Sequence, residues 1–169
     1  MRSFEIILEV NGAMERFTEE EKTALITKKN DLYVELIKTL TPADALPGIE
    51  ALVNSAKAAG IKTAVASVSK NAPAVLSALG LADRFDYVAD ASKVKNSKPD
   101  PEIFLVCAEA LGIAPSECVG IEDAQAGIEA IKAAGMYAVG INVTVTSLEP
   151  DMHLASTAEL DFTKLSEIA

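Results

Sequence analysis

From Ile49 onward the chain keeps one beat: an apolar run, a helix-forming run, then a glycine. The segments Lys62 to Ser67, Tyr87 to Ala89, Cys118 to Ile121 and Tyr137 to Ile141 read as short buried strands. Helices are predicted over Ile49 to Ala59, Ala74 to Leu79, Pro101 to Leu111 and Ala124 to Ala134, closed by Gly60, Gly80, Gly112 and Gly135. Glycine suits the left-handed turn that ends a helix. Asp100 is the expected cap of the third of these helices, with Pro101 at its first position. A last short helix is expected near Phe162 to Ile168. Near-continuous apolar strands alternating with helices predict an α/β protein with a doubly wound parallel sheet.

The first part of the chain reads differently. Residues 3–10 fit a helix or a strand, ended by Asn11-Gly12. Thr18 and Glu21 form a capping box, which predicts a long helix to about Thr39. Leu25, Leu32, Leu36 and Ile37, widened by Ile26 and Val34, give that helix an apolar side. Thr41-Pro42 and Pro47-Gly48 bracket a non-helical connector. The expected domains are a helical part at 1–46 and an α/β core at 47–169.

Composition narrows the partners. A formal net charge of −10 disfavours nucleic acid and anionic membranes, yet leaves room for a phosphorylated small molecule held by a few local cations. No stretch is long and apolar enough to span a membrane, and no secretory signal is visible, so a reducing cytoplasm is the expected location. Cys107 and Cys118 fall in apolar patterns and read as core residues. His153, the single histidine, is expected at the surface of a polar tail.

Ligands of doubly wound sheets sit beyond the carboxyl ends of the strands. Three such places carry polar residues. Ser67-Val68-Ser69-Lys70-Asn71 offers hydroxyls, an amide and an ammonium that could cradle a phosphate; simple helix capping by Ser69 or Asn71 is the alternative. Lys98, before Pro99-Asp100-Pro101, is either a phosphate-facing cation or a solvated lysine. Glu122-Asp123 offers two carboxylates, which could hold a divalent cation or merely favour a helix N-terminus. Each is weak singly. Their order along the chain is more specific.

That order resembles the haloacid dehalogenase superfamily, and within it the β-phosphoglucomutase branch. The likeness rests on Lys28-Lys29-Asn30-Asp31-Leu32-Tyr33-Val34, Thr41-Pro42-Ala43-Asp44 with Pro47-Gly48-Ile49, Ala66-Ser67-Val68-Ser69-Lys70-Asn71, and Gly120-Ile121-Glu122-Asp123-Ala124-Gln125-Ala126-Gly127-Ile128. It implies that 1–46 is part of a helical cap. Ser67 and the Val68 backbone would hold the transferred phosphoryl group, and Lys98 would neutralise it. Ser69, Lys70 and Asn71 would hold the distal phosphate, and Lys29 would close over the substrate. Glu122 and Asp123 would ligate Mg²⁺. The implied reaction interconverts β-glucose 1-phosphate and glucose 6-phosphate. Alternatives are a sugar-phosphate phosphatase of the same superfamily, or a non-catalytic phosphosugar-binding protein.

The family pattern opens with a strand ending in Asp-x-Asp-Gly, whose first aspartate is the nucleophile. No such segment occurs here; Glu9-Val10-Asn11-Gly12 is the nearest sequence. The expectation is therefore a core lacking its first, central strand, marginally stable and inactive alone. The family implies a monomer, and the open sheet gap allows self-association.

Overall fold

The computed structural model describes residues 7–168 and divides the chain into two compact units, Met1–Leu40 and Thr41–Ala169. The expectation of a helix or strand over 3–10 falls partly outside the described residues; 7–10 are helical. In the first unit, α1 (Glu19–Ile37) starts with the anticipated capping box. The Thr18 N–H donates to the Glu21 carboxylate at 2.8 Å, and the Glu21 N–H donates to Thr18 Oγ1 at 3.2 Å. Two orphan donors at the helix start are thereby satisfied. The apolar side of α1 is another matter. Ile37 is buried, but Leu25, Leu32 and Leu36 stay exposed.

In the second unit the elements run α2 (Ile49–Ala58), β1 (Ala64–Val65), α3 (Ala72–Ala78), β2 (Tyr87–Val88), α4 (Glu102–Leu111), β3 (Val119–Glu122), α5 (Gln125–Ala133), β4 (Tyr137–Ile141), β5 (Met152–Leu154) and α6 (Phe162–Ser166). Gly60, Gly80, Gly112 and Gly135 all take positive φ, between 69° and 76°, so the predicted helix ends fall where the glycines stand. The start of α4 differs slightly. Pro101 occupies the cap position, while Asp100 still accepts the Glu102 N–H at 2.9 Å.

All strand pairs are parallel, but they form two sheets among the described residues, β1–β2 and β3–β4–β5. Among the described residues no ladder joins β1 to β3. β1 is two residues long, against the six expected; its partner β2 is itself only two residues long, so the ladder extends no further. β5 corrects the reading of 151–155 as a tail: Met152, His153 and Leu154 pair with Val139, Gly140 and Ile141. His153 is exposed, as expected.

Helices cover both faces. Ile103, Phe104, Cys107 and Ala108 of α4 pack with Ile128, Ala130 and Ile131 of α5, against Ala138 and the partly buried Ala64, Ala66 and Tyr87. On the other face Val139 and Ile141 of β4 meet Leu165 of α6 and Leu52 of α2. The alternation of β4 side chains between the two clusters is the period-two geometry of a strand. Gly120 in β3 lets α5 approach closely: a Cβ there would stand 2.6–2.8 Å from three carbons of Ile131. Burial pushes the Cys107 thiol up to about 11, with Lys98 opposing, and also raises Cys118; both cysteines are free. Both act as core residues, in keeping with the sequence pattern.

Candidate active site

Glu122 ends β3, and its carboxylate is shared between two tasks. Oε1 pairs with the Lys98 ammonium. Oε2 accepts the N–H of Asp123 at 3.0 Å and of Ala124 at 3.3 Å. Those N–H groups lie just ahead of α5, where a carboxylate offsets the unpaired donors of a helix start. The Lys98 and Glu122 side chains are only 22% and 11% exposed, so solvent screens the pair weakly. Lys98 also stands over the ring of Phe104, 4.9 Å from its centre. An ammonium is favoured over an aromatic face.

Two residues that the sequence reading left unassigned hold this pair. Gly127 lies under the Glu122 side chain: a Cβ there would overlap Glu122 Cγ and Cδ and stand 2.6 Å from Oε1. Glu102, in the first turn of α4, reaches back to the segment before Lys98. Its carboxylate accepts the Lys95 N–H at 3.0 Å and the Asn96 N–H at 2.7 Å. These two N–H donors hold the Glu102 carboxyl below the usual glutamate range.

The Ser67 segment forms a tight turn. Ser67 Oγ accepts the Ser69 N–H, and Ser69 Oγ accepts the Asn71 N–H, both at 3.2 Å. Each hydroxyl uses a lone pair locally and keeps its proton to donate. Val68, Ser69 and Lys70 are exposed, and Ser67 and Asn71 are half-buried. No hydrogen bond or ion pair of Ser67, Ser69 or Lys70 reaches Lys98 or Glu122. Lys29 is exposed on α1 of the first unit.

An open cleft of about 550 Å³ lies at the carboxyl ends of β3 and β4. Ile121, Glu122, Asp123, Ile141 and Asn142 line one part, and Ser156, Thr157 and Leu46 another. Asp123 is exposed, and its carboxylate has no hydrogen-bond or ionic partner among the described residues. Among those residues no group of three or more His, Cys, Asp or Glu side chains is gathered as for a metal cage. Two adjacent carboxylates suit a hard cation such as Mg²⁺, which keeps several waters and takes one or two carboxylates plus substrate phosphate. The residues therefore fit Mg²⁺ better than a metal that needs a full protein cage. No described helix is long and apolar enough to cross a membrane.

The haloacid dehalogenase-like hydrolase profile matches residues 2–135. A β-phosphoglucomutase of Bacillus subtilis (strain 168) is 43% identical over 165 residues, covering 98% of this chain and 73% of that protein. A fructose-1-phosphate phosphatase of Escherichia coli (strain K12) is 34% identical over 142 residues, covering 84% of this chain and 72% of that protein. The crystal structure of a β-phosphoglucomutase from Clostridium difficile superposes with a TM-score of 0.86 at 44% identity, covering 98% of this chain and 74% of that one. Fold and sequence agree, and the chain belongs to the haloacid dehalogenase-like hydrolase family.

Proposed function

We propose that this chain is the phosphosugar-handling core of a β-phosphoglucomutase-type phosphotransferase, which interconverts β-glucose 1-phosphate and glucose 6-phosphate with Mg²⁺. The observation that supports it most is the Lys98–Glu122 pair, whose Glu122 lines the β3–β4 cleft together with Asp123, a carboxylate without a partner among the described residues. Lys98 would shift from Glu122 toward a phosphoryl oxygen and neutralise the charge spread there as the phosphoryl group moves. Ser67, with the Val68 backbone, would donate to the same group, since its Oγ proton is not consumed by the local turn. Ser69, Lys70 and Asn71 would hold the distal phosphate, and Lys29 would close over the sugar. Glu122 and Asp123 would hold Mg²⁺, which when bound supplies positive charge to phosphate oxygens.

Charge decides the order of events. Two carboxylates and one ammonium leave the phosphoryl-transfer end of the site, counted without Lys70 and Lys29, with one net negative charge. A phosphate dianion is repelled by that and attracted once a divalent cation is added, so phosphosugar should bind only with Mg²⁺ present. In the 169-residue polypeptide, which has no Asp-x-Asp-Gly segment, we expect binding without turnover. The likeness to a fructose-1-phosphate phosphatase favours a second reading, hydrolysis of a sugar phosphate by the same family core.

The test is calorimetric titration with β-glucose 1-phosphate. Binding should require Mg²⁺, fail for glucose, and weaken about 10–100-fold in Lys98→Ala, the loss expected for one hydrogen bond to a charged group. Unchanged binding by Lys98→Ala, or equal binding of glucose, refutes the reading. In a chain extended by the family's Asp-x-Asp-Gly strand, incubation with a sugar bisphosphate primer separates the alternatives by product: isomer for a mutase, inorganic phosphate for a phosphatase, neither for a binding protein.

A further inference from the structure

Asp123 is the one member of the cleft whose carboxylate nothing holds. Its position rests on its backbone alone. That backbone is fixed before it by Glu122 Oε2, which accepts the N–H groups of Asp123 and Ala124. After it comes Gln125, the first residue of α5. The Gln125 amide is fully engaged with the loop that follows β4. Oε1 accepts the Thr146 N–H at 3.0 Å, and Nε2 donates to the Leu148 carbonyl at 3.0 Å. Nε2 also donates to Glu129 Oε1 at 3.3 Å, and that same oxygen accepts the Ser147 hydroxyl. One amide and one carboxylate, a helical turn apart, thus clasp three consecutive loop residues from both sides. The loop begins at Asn142, which lines the same part of the cleft as Asp123.

We infer that Gln125 is a positioning residue: it ties the first turn of α5 to the 142–148 loop and so fixes the direction in which Asp123 presents its carboxylate to a divalent cation. This rests on the proposed metal role of Glu122 and Asp123. An amide is the side chain that can do this, because it accepts from one backbone group and donates to another two residues on. Groups that orient metal ligands without touching the metal typically set about 10–100-fold in affinity. Gln125 acts through a backbone rather than a hydrogen bond to the ligand itself, so the lower figure applies.

The experiment titrates the full chain with Mn²⁺ alone, a hard cation that takes the same ligands as Mg²⁺ and is read by its paramagnetic signal. Amide hydrogen exchange at Thr146 is measured on the same samples. Gln125→Ala should weaken Mn²⁺ about tenfold and expose the Thr146 N–H. Gln125→Glu keeps the acceptor and loses the donor; it should weaken Mn²⁺ while Thr146 stays largely protected, and it serves as the test variant if Gln125→Ala does not fold. Ser147→Ala, which removes only the outer clasp, should weaken Mn²⁺ by less than threefold. Wild-type Mn²⁺ affinity in Gln125→Ala, with Thr146 exposed, overturns the positioning role and leaves the metal site standing. Unchanged Thr146 exchange in Gln125→Ala overturns the clasp. Absence of Mn²⁺ binding by the unmutated chain overturns the metal reading, a result separable from the other two.

Discussion

Replacing Gly127 by alanine tests how the site is built. Alanine in a helix interior is ordinarily worth about 1 kcal/mol over glycine. Here the added methyl would overlap the Glu122 side chain, 2.6 Å from Oε1. Glu122 must swing out, which breaks the Lys98 pair and strands the Asp123 and Ala124 N–H groups. Leaving one charge of a buried pair unmatched costs about 3–5 kcal/mol. Both groups keep some access to water, which selects the low end, about 3 kcal/mol. Against the helical gain, the net loss is about 2 kcal/mol. With a urea slope of about 2 kcal/mol per molar for a chain of this size, the unfolding midpoint should fall by about 1 M. The decisive comparison is the double-mutant cycle with Glu122→Ala. In that background nothing occupies the space over Gly127, and Gly127→Ala should stabilise by about 1 kcal/mol. A loss of about 2 kcal/mol in both backgrounds would refute the argument, since the clash would then not be with Glu122.

Two further outcomes follow from packing and charge. Burial raises the Asp151 carboxyl, but its bond to Lys132 at 2.6 Å and the Ala138 N–H at 2.8 Å outweigh that and lower it overall. A folded value below the unfolded one gives stability that is complete above the unfolded carboxylate range and lost as pH falls through the lowered value. Asp151→Asn should therefore cost about 1–2 kcal/mol at neutral pH, and urea midpoints measured down the pH scale should converge with the parent in acid. Ile128→Ala, at a side chain with no exposure, should cost about 2–5 kcal/mol, while Leu36→Ala, at 63% exposure, should stay within about 0.5 kcal/mol by the same urea measurement.

What could be read from the sequence was whatever a few neighbouring residues decide together. The Thr18–Glu21 box, the glycines at helix ends and the period of Tyr137 to Ile141 are local devices, and each stands where its spacing put it. Strand extent is not local. β1 shrank to Ala64–Val65 because its partner β2 is itself only two residues long, and Met152–Leu154 became a strand only because β4 offers it a free edge. The apolar side of α1 shows the same limit. Periodicity says that Leu25, Leu32 and Leu36 share a side, but it cannot say that anything lies against it.

The site divides along the same line. Ser67 and Glu122-Asp123 stood out because each falls at or just past a strand end, and Lys98 because it precedes a helix start, where the α/β fold leaves room for a ligand. The residues that hold them did not stand out. Gly127 looks like a helix-weakening residue until the Glu122 carboxylate is seen to lie over it. Glu102 looks like an ordinary first-turn acid until its two bonds to the Lys95 and Asn96 backbone are counted against it. Gln125 looks like solvent-facing polarity until the 142–148 loop closes on it from a distance of some twenty residues along the chain. A reacting group announces itself by its type, because few side chains can bear charge at a strand end without cause. A supporting group is defined by what packs against it, and that belongs to the fold, so the second set becomes visible only when the chain is assembled.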